Sequence, residues 1–260
     1  MRLAGLYALE RVAQNNSDQR QTIVNVLCAY LRMPYQLPGA PPAEDADQPR
    51  VVEYREQMQE REVRLAAQRV LATHLRPGKD PDHPLDTFWP NLDLDLTAAV
   101  LVDLDLGRCC MRTATFIDTQ FIGTTTWFFR AQFSGDAWFD EARFRGTTVF
   151  DEANFGRTAA FHEAHFSDQA GFIGAQFSGD AWFHQAQFRG TTRFGEAHFN
   201  GTADFGEAYF TGDADFDRAQ FRGKTQFDMV RFGREVPAGV ARFVPSPQGE
   251  GEGTNPAENK

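Results

Sequence analysis

The residues with the most chemistry to offer are histidines, carboxylates and thiols. His162 and His184 lie 22 residues apart, with Glu163 beside the first and His165 close by. Imidazoles and carboxylates so grouped are zinc-ligand chemistry in kind. Acids also recur as the pairs Asp140–Glu141 and Asp151–Glu152 and as Glu207. Cys28, Cys109 and Cys110 form neither a Cys-x-x-Cys pair nor a disulfide framework. No Ser–His–Asp arrangement, phosphate-cradling Gly-rich loop or His-Glu-x-x-His helix is present. Any chemistry would therefore depend on the elements that hold these side chains.

Those elements are announced by phenylalanine. The chain has 25 Phe against 5 Tyr and 4 Trp. One series steps by eleven through Phe133, Phe144, Phe155, Phe166, Phe177, Phe188, Phe199, Phe210, Phe221 and Phe232. A second interleaves as Phe128, Phe139, Phe150, Phe161, Phe172, Phe183, Phe194, Phe205, Phe216 and Phe227. Successive Phe are thus alternately five and six residues apart. A small or β-branched residue stands two before each, as at Ala131, Ala137, Ala142 and Thr148. Upstream, Leu96, Leu101, Leu106, Met111, Phe116 and Phe121 keep a pure step of five, and IGTTTW fills a longer gap before Phe128.

Inward residues at i−2 and i, with outward ones between and after, describe a short strand followed by a corner. Four such sides close one coil, and coils stack through backbone hydrogen bonds about 4.8 Å apart. The spacing predicts 22 residues per coil, with the extra residue at alternate Gly-bearing corners such as Gly135, Gly146 and Gly179. Glycine there is expected to relieve backbone strain. No single repeat can bury its own face, so stability must come from neighbours.

Flanking segments differ in texture. Residues 1–33 predict an α-helical hairpin, 34–50 a Pro- and acid-rich linker, and 51–76 one helix whose first half is solvated. Residues 77–90 predict a loop in which Phe88 and Trp89 cap the open end of the array. The array runs over 91–243, and 244–260 reads as a disordered tail.

The F-x-x-A-x-F pattern resembles the Phe-rich branch of the pentapeptide-repeat family. The resemblance implies a mainly β fold, a right-handed quadrilateral β-helix, here preceded by a small helical module. The segment GLYALERVAQNNSDQRQTIVNVLCAYLR also resembles one that stands ahead of such repeats in actinobacterial proteins, usually after transmembrane helices. A membrane link follows only by that analogy, because no apolar run of roughly 18 residues occurs here.

A narrow β-helix filled by Phe leaves no internal pocket, which predicts a non-enzymatic protein with no cofactor, no metal and no catalytic residue. The net charge of −10 argues against direct nucleic-acid binding. The few, unpaired cysteines suit a reducing cytoplasm. A protein-binding or scaffolding role is expected, through an outward surface of Trp138, Trp182, Asp140, Glu141, Glu163, Asp151, Glu152 and Glu207, and a homodimer is compatible with it. The family resemblance supplies the alternative, a DNA mimic that regulates a type II topoisomerase. Residues 94–243 carry 20 Asp and Glu against 14 Lys and Arg, and the acids gather on two opposed corners with arginines between. A mimic of duplex DNA calls for a more continuous acidic face.

Overall fold

The computed structural model describes residues 3–80 and 82–245, so most of the expected tail lies outside the described residues. Three helices come first: α1 (Leu3–Asn15), α2 (Arg20–Arg32) and α3 (Gln48–Leu75). Helix α3 starts three residues earlier than the apolar pattern suggests. Asp47 caps it, its side chain accepting the N–H of Arg50, and Pro49 fits the first turn, where no N–H is needed. Ile23, Val24, Leu27 and Leu31 of α2 and Val63, Ala67, Val70 and Leu71 of α3 bury the shared face. Arg64 is buried among them. Its guanidinium donates to Glu60, to the Leu31 carbonyl at 3.0 Å and to the Met33 carbonyl at 2.8 Å, and lies 4.4 Å from the Tyr35 ring. Those bonds tie the end of α2 to the middle of α3.

From Leu94 to Phe232 the chain winds as a parallel β-solenoid of four sides. In the coil beginning at Ala137, side 1 holds Ala137–Trp138, side 2 Arg143–Phe144, side 3 Thr147–Val149 and side 4 Asn154–Phe155. The strands stack into sheets of seven, seven, five and six. Register records the change of period. Leu94 pairs with Ala114 and Leu101 with Phe121, a coil of 20. Ala114 then pairs with Ala137 and Phe121 with Phe144, a step of 23 across the IGTTTW insertion. From Ala137 the partners follow every 22 residues, through Ala159, Ala181, Ala203 and Thr225.

Each Phe stacks on the Phe one coil away. Phe155 and Phe177 lie 4.8 Å apart at 4°, and Phe177 and Phe199 4.8 Å apart at 2°. Between columns the rings meet edge to face, as Phe139 and Phe150 do at 5.3 Å and 84°. Both geometries suit the aromatic quadrupole. The ladder is buried from Phe133 to Phe216 and at Phe227, whereas Phe221 and Phe232 are only half-buried. They occupy the last coil, which has no successor to cover it.

The two kinds of corner invert the expected role of glycine. The tight two-residue corners are where the backbone turns left-handed, and apart from Gly174 non-glycine residues do it: φ is 56° at Glu141, 55° at Glu152 and 53° at Glu163. The wide corners need glycine for space. A Cβ on Gly135 would sit 2.9 Å from the Arg112 carbonyl oxygen, and one on Gly179 2.6 Å from the Arg157 carbonyl carbon, both in the coil below. Glycine there permits close stacking of backbones and does not relieve strain.

The helices close the N-terminal end. Gln68 of α3 donates to the Val102 carbonyl at 2.8 Å and accepts the Val102 N–H at 3.1 Å. Gln21 of α2 does the same to Asp93, at 2.9 Å both ways. Arg76 donates to the carbonyls of Gly107 and Asp105, each at 2.9 Å. Side chains thus stand in for the strands that the first coil lacks. Trp89 belongs to this closure but does not make it alone. Its ring stacks on His74 at 3.6 Å and its N–H donates to Gln14, so it locks α3 to α1, while Phe88 stays half-buried.

Candidate interaction surface

Outward residues of equal phase form columns along the solenoid. On side 1 the column is Thr115, Trp138, Ala160, Trp182, Asp204 and Gln226. Trp138 and Trp182, expected to be exposed, are only half-buried partners of a fully buried Ala160. The two indoles flank this small residue and spend apolar surface covering it. The His162 ring lies 6.1 Å from that of Trp182 at 19°, masking it further.

The corner acids divide into two chemical kinds. Asp140 accepts the N–H of His162 at 2.9 Å, and Asp151 that of Ile173 at 2.9 Å, each one coil on. Both are half-buried, and burial pushes their carboxyls above the usual carboxylate range against the N–H bonds they accept. They were expected to face a partner, but their carboxylates are spent on stitching coils together. The glutamates that follow do point out. Glu152 accepts from Arg130 at 2.6 Å and Glu196 from Arg218 at 3.2 Å, so one corner is a ladder of ion pairs. At the opposite corner Glu141, Glu163 and Glu207 share a column with Gln185, which donates to Glu207 at 2.8 Å. Glu163 and Glu207 wall a shallow groove of about 420 Å³ whose floor includes His165, Gln187, Tyr209 and Arg231.

Metal and thiol chemistry find little here. The His162 and His184 rings are 6.3 Å apart, and among the described residues no three His, Cys, Asp or Glu converge to hold an ion. Cys28 and Cys109 are free and buried, and burial pushes both thiols up to about 12. Neither has thiolate character near neutrality. Cys110 is shifted up for the same reason.

Side 3 carries exposed apolar residues that the expected set did not include, although Asp151 and Glu152 of that set share its following corner. Its outward column is Trp127, Val149, Gly171, Arg193 and Asp215, and its following corner presents Phe129 and Ile173. Trp127 is 44% exposed, more than either side-1 tryptophan, and Ile173 is 39% exposed. Arg108 and Arg130 lie 5.9 and 4.9 Å from the Phe129 ring centroid and rim the patch. The signal was present in the sequence. In Trp127-Phe128-Phe129 only the middle ring can point inward if Thr126 does, because strand residues alternate.

A stacked-Phe, four-sided parallel solenoid defines the class of protein. Residues 128–174, 161–208 and 172–220 match the model of pentapeptide repeats (9 copies), so this stretch of the chain is built of pentapeptide repeats. No curated protein and no solved structure matches the chain. Among the described residues no helix is long and apolar enough to cross a membrane.

Proposed function

We propose that this chain is a non-enzymatic protein-binding solenoid whose contact surface is side 3 and its adjoining corner. The carrying observation is the exposed Trp127, paired with Val149 one coil on, with Phe129 and Ile173 on the following corner, Arg108 and Arg130 at the Phe129 ring and Arg193 further along the column. Tryptophan and arginine dominate the energetics of protein interfaces, especially where an apolar centre has a polar rim. A core filled by Phe leaves no enclosed chamber for a substrate, which favours binding over catalysis. Free, buried Cys28 and Cys109 suit a reducing compartment.

The test is affinity capture from the native host with the folded chain as bait. Trp127→Ser with Phe129→Ser should lose a partner that the unaltered chain and Gln176→Ala both retain. Equal capture by all three would reject side 3. The DNA-mimic reading has less support. Asp140 and Asp151 are tied to backbone, and Glu152 and Glu196 are paired with arginines, which breaks up the acidic corners. Inhibition of gyrase supercoiling by micromolar protein would reinstate it.

A further inference from the structure

The molecule is acidic, yet three cations meet at one small cleft. Lys79, from the loop after α3, faces Arg108 and Arg130 from successive coils across a cleft of about 250 Å³, completed by Pro77, Gly78 and Gln132. Arg108 and Arg130 hold the same place in tight corners one coil apart, both left-handed, with φ of 58° and 55°. Phe129 precedes Arg130 in the second of these corners, and its ring attracts both guanidinia. That shared ring offsets part of the repulsion between like charges.

The local carboxylates do not balance this charge. Glu152 takes Arg130 through its Nε at 2.6 Å. Asp80, next in the chain to Lys79, is turned to His83 at 2.9 Å and to the N–H of Asp82 at 3.0 Å. Among the described residues no carboxylate lies within ion-pair distance of Arg108 or Lys79. Among the described residues two cations lining this cleft, Lys79 and Arg108, therefore remain without a carboxylate partner.

We propose that this cleft binds a phosphate dianion, a phosphate monoester or pyrophosphate, between Lys79 and Arg108, with Arg130 held in reserve by Glu152. Arginine's planar fork suits phosphate oxygens, and lysine supplies a mobile point charge. Because Lys79 follows the helical module and Arg108 belongs to the first coil, a bound anion also bridges the two. The site does not depend on the side-3 reading, although a phosphorylated partner seated there could supply the group.

Calorimetric titration of the whole chain with pyrophosphate at low salt tests it. Saturable binding is expected, weakened about tenfold or more by Arg108→Gln or by Lys79→Ala. Arg189→Gln, at an exposed wide corner, should leave it unchanged. Each variant's thermal midpoint is read alongside, so loss of fold is not mistaken for loss of site. A phosphoserine peptide titrated in parallel separates the sources: tighter binding than pyrophosphate marks a partner-borne group, and weaker binding a free one. No saturation at ~10 mM pyrophosphate, a free energy weaker than about −3 kcal/mol, would overturn the proposal. So would equal weakening by Arg189→Gln.

Discussion

The two ends of the solenoid meet the same problem with different means. A coil with no neighbour leaves rows of N–H and C=O groups unpaired and its axial side chains uncovered. At the N-terminal end Gln21, Gln68 and Arg76 reproduce the missing ladder bonds, and the helices bury Leu94, Leu96 and Leu101 to 2% exposure or less. At the C-terminal end the described chain offers a short apolar segment. Val240 is buried there, and Phe243 meets Phe221 at 5.3 Å and Phe227 at 6.2 Å, while Phe221 and Phe232 stay half-buried. Hydrogen-bond mimicry closes one end; ring contact partly covers the other. Polar closure demands correctly placed amides on a rigid helix, whereas an apolar plug demands only proximity.

One substitution made at both ends separates them most directly. Phe121→Ala, under the closed end, should cost about 3–5 kcal/mol, and Phe232→Ala only about 1–2 kcal/mol, in chemical denaturation. Equal losses would mean that both ends are equally packed. Gln68→Ala should cost about 1–3 kcal/mol, because it strands the N–H and C=O of Val102 in a buried place. Hydrogen exchange at the Val102 amide should accelerate with it, and unchanged protection would refute the mimicry.

Acid sharpens the contrast between the closed end and the middle of the array. Asp93 is held below the usual carboxylate range, first by its hydrogen bond to Arg112 and further by the Thr113 N–H. Its contribution is present above the unfolded pKa and is lost as pH falls through the folded one. Asp140 and Asp151 are raised by burial, so their contribution is greatest when protonated and declines as pH rises through their folded values. Asp93→Asn should therefore lower the melting temperature at neutral pH and not in acid. Asp140→Asn with Asp151→Asn should keep the N–H bonds through the amide oxygen and flatten the decline above the usual carboxylate range. The same sign of effect from both would end the distinction. The smallest change expected is Gln176→Ala, an exposed side-4 position, within about 0.5 kcal/mol.

Much of the fold is legible in spacing because the repeat makes its contacts with copies of itself. A residue's partner is simply the one 22 positions on, as Phe155 with Phe177, so a local rule has a long-range consequence. The candidate surface is less legible. Its strongest member, Trp127, stands at the break in the repeat, where the rule changes within a few residues. Trp138 and Trp182 are outward in phase, but phase says nothing of side chains lying down over a small neighbour such as Ala160. Asp140 and Asp151 likewise point outward in register and then curl back to backbone.

Composition and period alone therefore specify a Phe-filled, four-sided solenoid with helices before it. Apolar rings must be buried, and a five- or six-residue step buries them only that way. Only the tertiary structure decides which side chains meet across unlike elements. Gln68 reaches Val102 and Lys79 shares a cleft with Arg108 because rigid helices dock on the first coil at one particular angle. That angle follows from the summed packing of many residues, which no spacing along the chain encodes.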